Sequence, residues 1–99
     1  MKKFGMKFTA ESFRILSKFH PENKKLIKKA LDEIRKNPYA GGELQEELYG
    51  FRSFKLKRYR VLYRVNEEEK NIQIFHVGHR KDVYEQFNRL LNQLKKPSK

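Results

Sequence analysis

Six basic side chains and no acidic one lie between residues 52 and 64: Arg52, Lys55, Lys57, Arg58, Arg60 and Arg64. Phe54, Tyr59 and Tyr63 are interleaved with them. Closely spaced cations neutralise successive phosphates, and aromatic faces stack on unpaired bases. These residue types therefore suit a single-stranded nucleic acid. Strand alternation would put Lys55 and Lys57 on one face, about 6.6 Å apart. A solvated sheet face, with lysine stems laid over apolar surface, has the same pattern. Spacing alone leaves both readings open.

A second group runs from His76 to Tyr84. Gly78 reads as the end of a strand, and Asp82 with Glu85 as a capping box that opens a helix. Arg80 and Lys81 would then stand just before a helix N-terminus, where free N–H groups also favour anions. Tyr84 falls in the first turn and reaches the same place. His79 has the side chain suited to moving protons at physiological pH. The plainer reading makes His79 a surface residue and packs Tyr84 on the sheet.

Other chemistries find no support. The chain has no Walker loop, no GxGxxG and no GxSxG. Its three histidines form no HExxH or HxH pattern, and it has no cysteine, so neither a metal site nor a disulfide is expected. Nothing implies a cofactor. Glu43, Glu46 and Glu47 offer carboxylates, but no feature of the sequence aims them.

The positioning elements follow from periodicity. Residues 2–8 read as a first strand. Thr9 caps a helix through Phe13, Leu16 and Phe19. Pro21 opens a second helix with Leu26, Ile27, Ala30, Leu31 and Ile34 on one face, and Asn37–Pro38 stops it. Residues 38–50, with three glycines, read as an irregular connection. The period then becomes two. Strands run through Phe54–Leu56, Val61–Val65 and Ile72–Val77, with a turn at Asn66–Lys70. A last helix carries Val83, Phe87, Leu90, Leu91 and Leu94. The fold class is α+β: an N-terminal helical hairpin packed on a small twisted antiparallel sheet, with a C-terminal helix. Residues 1–94 form one domain, and 95–99 read as a disordered tail.

The whole chain has 99 residues and a formal charge of +12. That excess attracts polyanions at long range, nucleic acid first and an acidic protein second. MKKFGMKF lacks the apolar region of a secretory signal, and no run is long enough to span a bilayer. The expected location is the cytoplasm, with no membrane partner.

The string LYGFRSFKLKRYRVLYR (48–64) and the string HVGHRKDVYE (76–85) resemble the RelE/ParE toxin superfamily of type II toxin–antitoxin systems. The helical hairpin and meander match it in order and length, so the resemblance covers nearly the whole chain. The RelE branch is similar to mRNA interferases, ribosome-dependent endoribonucleases that cut mRNA in the decoding site. The ParE branch inhibits DNA gyrase without cleaving RNA. The resemblance places Lys55 and Lys57 on a lysine pair, Arg60 on a strand arginine, and Arg80 and Tyr84 on the arginine and tyrosine after the last strand. Retention of all five types favours the nuclease branch. A second register is open, because only two residues separate Lys57 from Arg60. In it Lys55 takes the second lysine position, Ser53 the first, and Lys57 lies in the turn.

The implied reaction is attack of a ribose 2′-OH on the adjacent phosphate. Lys55 or Lys57 would act as base and Arg60 would stabilise the transition state. Tyr84 would stack on or orient a base, and Arg80 or His79 would assist the leaving group. Arg52, Arg58, Arg64 and Lys81 would hold RNA. The implied partners are a cognate antitoxin, the ribosome with its rRNA, and mRNA. Oligomers through the antitoxin are compatible with this. A gyrase inhibitor, a non-catalytic RNA-binding module and an inactive complex partner are the competing classes.

Overall fold

The structure, a computed structural model, describes residues 4–95, with side chains through Gln93. Strand β1 (Gly5–Phe8) leads directly into helix α1 (Ala10–Ser17). Thr9 is extended at their junction, and its hydroxyl accepts the Ser12 N–H at 3.1 Å. This satisfies one of the helix's orphan donors. Helix α2 (Pro21–Lys36) opens on Pro21, and His20 Nδ1 accepts the Glu22 N–H at 3.2 Å. Asn37 is extended before Pro38, which ends the helix where the sequence predicts. Ile27, Ala30 and Ile34 form its buried stripe.

The rest of the sheet comprises β2 (Gly42–Glu43), β3 (Arg52–Leu56), β4 (Tyr59–Asn66) and β5 (Asn71–His79). The order is β1-β5-β4-β3-β2. The meander β3–β4–β5 is antiparallel, as the alternation predicts. The outer strand β1 runs parallel to β5, pairing Gly5 with Asn71, so the whole sheet is mixed. The helical hairpin between β1 and the meander supplies the long connection that a parallel pair requires.

Helices cover both faces. On one, α1 and α2 pack over Val61, Tyr63, Ile72, Ile74 and Val77. On the other, α3 (Val83–Lys95) brings Val83 and Phe87 onto Phe51 and Leu62. Leu62 and Tyr63 are consecutive and both buried, one under each layer. The pairing of β4 with β5 shifts here: Leu62 pairs with His76 and Tyr63 with Ile74, leaving Phe75 as an extra residue. The bulge turns both Phe75 and His76 toward Phe87, with ring centroids 6.2 and 5.7 Å away.

Gly78 does not end β5, which continues to His79. It lies opposite Arg60, and a Cβ there would meet Val83 Cγ2 at 3.1 Å. The missing side chain lets the start of α3 close onto the strand. The capping box does not form either. The Asp82 N–H donates to the His79 carbonyl at 2.9 Å, and Glu85 pairs with Arg89 at 3.3 Å. Lys95, expected to open the tail, instead ends α3; the rest of that tail, residues 96–99, and the Leu94 side chain lie outside the described residues.

Candidate nucleic-acid interface

Leu56 pairs with Tyr59, so Lys57 and Arg58 alone make the hairpin turn. Lys57 takes a φ of 55°, the left-handed region that favours glycine. The expected lysine pair on one strand face is therefore not formed: two residues suffice for the turn, and Lys57 is one of them. Lys55 shares its face with Ser53 and with its cross-strand partner Arg60. Opposite residues of this kind have Cβ atoms about 5 Å apart.

Arg60 is half-buried, and its guanidinium bends back over the turn. Its Nη1 donates to the carbonyls of Lys57 at 3.1 Å and Tyr59 at 2.8 Å. The turn also holds Arg80, whose N–H donates to the Arg58 carbonyl at 2.7 Å. One residue earlier, His79 pairs with Tyr59, and their rings are 6.1 Å apart. His79 Nδ1 accepts the Lys81 N–H at 3.2 Å. A neutral ring bonded in this way carries its proton on Nε2 and presents a donor. Tyr84 reaches across from the first turn of α3, and its hydroxyl is hydrogen-bonded to Ser53 Oγ at 2.8 Å.

At one end of the sheet Lys55, Arg60 and Tyr84 share one face, His79 lies with Tyr59 on the other, and Lys57, Arg58, Arg80 and Lys81 surround the turn between them. Lys55, Lys57, Arg58, Arg80 and Lys81 are exposed. Among the described residues, neither these five nor Arg60 forms an ion pair. Such a patch can bind phosphates, stabilise charge on a phosphorus centre and offer a proton from a ring nitrogen.

Two predicted contacts lie elsewhere. Arg52 faces the helical hairpin, and its Nη1 donates to the Gly41 carbonyl at 2.7 Å. It also pairs with Glu43 at 3.4 Å and stacks over Tyr39, so it ties down the connection before β3. Arg64 shares the face of Arg60 but lies about 13 Å along the strand. Its guanidinium stacks over Phe51 at 5.3 Å. Ser53, which the second register puts at the first lysine position, lies on the face of Lys55. Its signal was present: it alternates in phase with Lys55.

A profile of the ParE toxin of the type II toxin–antitoxin system parDE matches residues 9–84. Toxin RelG of Mycobacterium tuberculosis is 31% identical over 83 residues, covering 82% of this chain and 95% of its own. The toxin–antitoxin complex RelBE2 of the same organism has a chain of 30% identity and TM-score 0.73. That match covers 80% of this chain and all of the other. The isolated E. coli RelE toxin shares the fold at TM-score 0.69 and 20% identity, over 92% of this chain and 98% of its own. The chain accordingly belongs to the ParE toxin family and is a type II toxin–antitoxin toxin of the RelE/ParE superfamily.

Proposed function

We propose that this toxin is a ribosome-dependent endoribonuclease that cleaves mRNA at the Lys57–Arg58 end of its sheet. The observation that carries the reading is the group of uncompensated cations around that turn, with an imidazole donor and an aromatic ring beside them. In the reaction, Lys55, as the neutral amine, takes the proton from the 2′-OH and becomes the ammonium. The 2′-oxygen bonds to phosphorus and the P–O5′ bond breaks. Arg60 and Arg80 stabilise the dianionic phosphorane, and His79, as the imidazolium, gives its Nε2 proton to the departing 5′-oxygen and is left as the neutral ring. The products are a 2′,3′-cyclic phosphate and a 5′-OH. Tyr84 stacks on a base, while Lys57, Arg58 and Lys81 hold flanking phosphates.

Several structural relatives were solved as toxin–antitoxin complexes, which supports a cognate antitoxin as the partner. A ribosome target places the chain in the cytoplasm. Among the described residues no helix is long and apolar enough to cross a membrane.

The test is incubation with programmed ribosomes, followed by primer extension across the decoding site. Cleavage is expected from the wild type and its loss from Arg80→Ala, with an unchanged circular dichroism spectrum. Intact mRNA with the wild-type protein rejects the nuclease. The matching family description names ParE, which keeps gyrase inhibition as the second reading. Inhibition of supercoiling in vitro with mRNA left whole supports that alternative.

A further inference from the structure

Ser53 is buried, 9% exposed, on β3, the strand next to the edge strand β2. Its backbone is held on both sides, by Gly42 of β2 and Leu62 of β4. It is therefore a fixed point on the face that carries Lys55. Tyr84 belongs to a different element. Its ring packs against the cluster of Leu62, Val83 and Phe87, and its hydroxyl reaches Ser53 Oγ at 2.8 Å. Packing alone leaves the ring free to tip about the first turn of α3. A hydrogen bond at its far end removes that freedom.

We propose that Ser53 is a positioning residue for Tyr84, setting the direction in which the ring faces RNA at the site proposed above. The inference rests on that reading of the site. It also assigns the work of Tyr84 to its ring. The phenol oxygen is occupied by Ser53, so its purpose is to anchor and not to meet the substrate. Lys55 follows Ser53 on the same face, with its Cα about 6.6 Å further along the strand.

The assignment predicts a pattern across variants. Ser53→Ala and Tyr84→Phe delete the same hydrogen bond from opposite ends. Each should lower kcat on programmed ribosomes by roughly three- to tenfold, with KM held within about twofold. The double variant should be no slower than the slower single one. Tyr84→Ala, which removes the ring, should lose more than either. Ser53→Thr keeps the oxygen and should restore the rate. Thermal melting of each variant separates these effects from unfolding.

A Tyr84→Phe rate far below that of Ser53→Ala overturns the assignment, because the hydroxyl then acts on substrate directly. Additive losses overturn it as well, as does an unaffected folded Ser53→Ala. A wild type that cuts no mRNA defeats the nuclease reading instead, and the hydrogen bond is then read without RNA. In the 3-fluorotyrosine-labelled protein, Ser53→Ala should move the fluorine resonance of residue 84 and leave the other tyrosines in place. An unmoved resonance shows that Ser53 does not hold the ring.

Discussion

Lys55 extends from a paired strand position opposite Arg60, whereas Lys57 projects from the turn itself. A base must be held at a fixed distance from the proton it removes, and a strand residue meets that condition better than a turn tip. Lys55→Ala should therefore lower the cleavage rate by about a hundredfold, the usual scale for a lost general base. Lys57→Gly should cost only severalfold in binding. It should leave stability unchanged or raise it, since glycine accepts a φ of 55° without a Cβ penalty. Single-turnover cleavage with thermal melting checks both; equal losses in rate would return Lys57 to the reacting centre. The sequence made the charge at Lys55 and Lys57 plain. It left their geometry open, because alternation continues on paper past the residue where the chain turns. The structure puts Lys57 in the turn, as the second register does.

At the scale of elements, the short strand β2 depends on Tyr63. Its hydroxyl accepts the Gly41 N–H and donates to the Pro38 carbonyl, both at 2.8 Å. Burial pushes this phenol above its ordinary pKa, with the Gly41 hydrogen bond and Arg52 opposing the shift. Tyr63→Phe strands two buried backbone groups and should cost about 1–3 kcal/mol in urea unfolding. The connection was unreadable as a strand because two residues carry no period; it is organised by the buried tyrosine, 22 positions from Gly41, together with Arg52. The bulge in β5 was hidden for a similar reason, since an extra residue looks like a continuation of the run. It places His76 at 6% exposure with neither ring nitrogen hydrogen-bonded. Desolvation lowers its pKa, against smaller opposing effects of Gln86 and Glu11, while Arg89 lines the same cavity. The unfolded chain thus binds a proton below about pH 6.5 that folded His76 resists, so stability should fall as the pH drops through that range. The slope approaches about 1.4 kcal/mol per pH unit at most. Urea midpoints at pH 7.5 and 5.5 should differ less for His76→Leu than for the wild type; equal differences would move the effect to other groups.

Over the whole molecule, the charges are sorted along the meander. The Lys57–Arg58 turn lies at one end of β4, and Glu67, Glu68 and Glu69 lie in the turn at the other. Eight strand residues separate these ends by roughly 26 Å, well beyond the Debye length of about 8 Å at physiological salt. The acidic turn therefore does little to screen the cationic end. A net charge of +12 attracts polyanions, and the asymmetry favours their approach at the cationic end. This long-range attraction was readable from composition, because it depends on charge count and the helices and strands only distribute it. If Lys57, Arg58, Arg60, Arg80 and Lys81 each meet a phosphate, affinity for single-stranded RNA should fall with salt at a log–log slope of about −3.5. Arg58→Gln should reduce that slope by about 0.7, the share of one phosphate contact. Glu67→Gln, at the far end, should leave it as it was. Fluorescence anisotropy with a labelled oligoribonucleotide between 50 and 300 mM salt, on the order of the range where counterion release is read, measures all three. A flat profile, or a slope that Glu67→Gln changes as much as Arg58→Gln does, would place the RNA somewhere other than the Lys57–Arg58 turn.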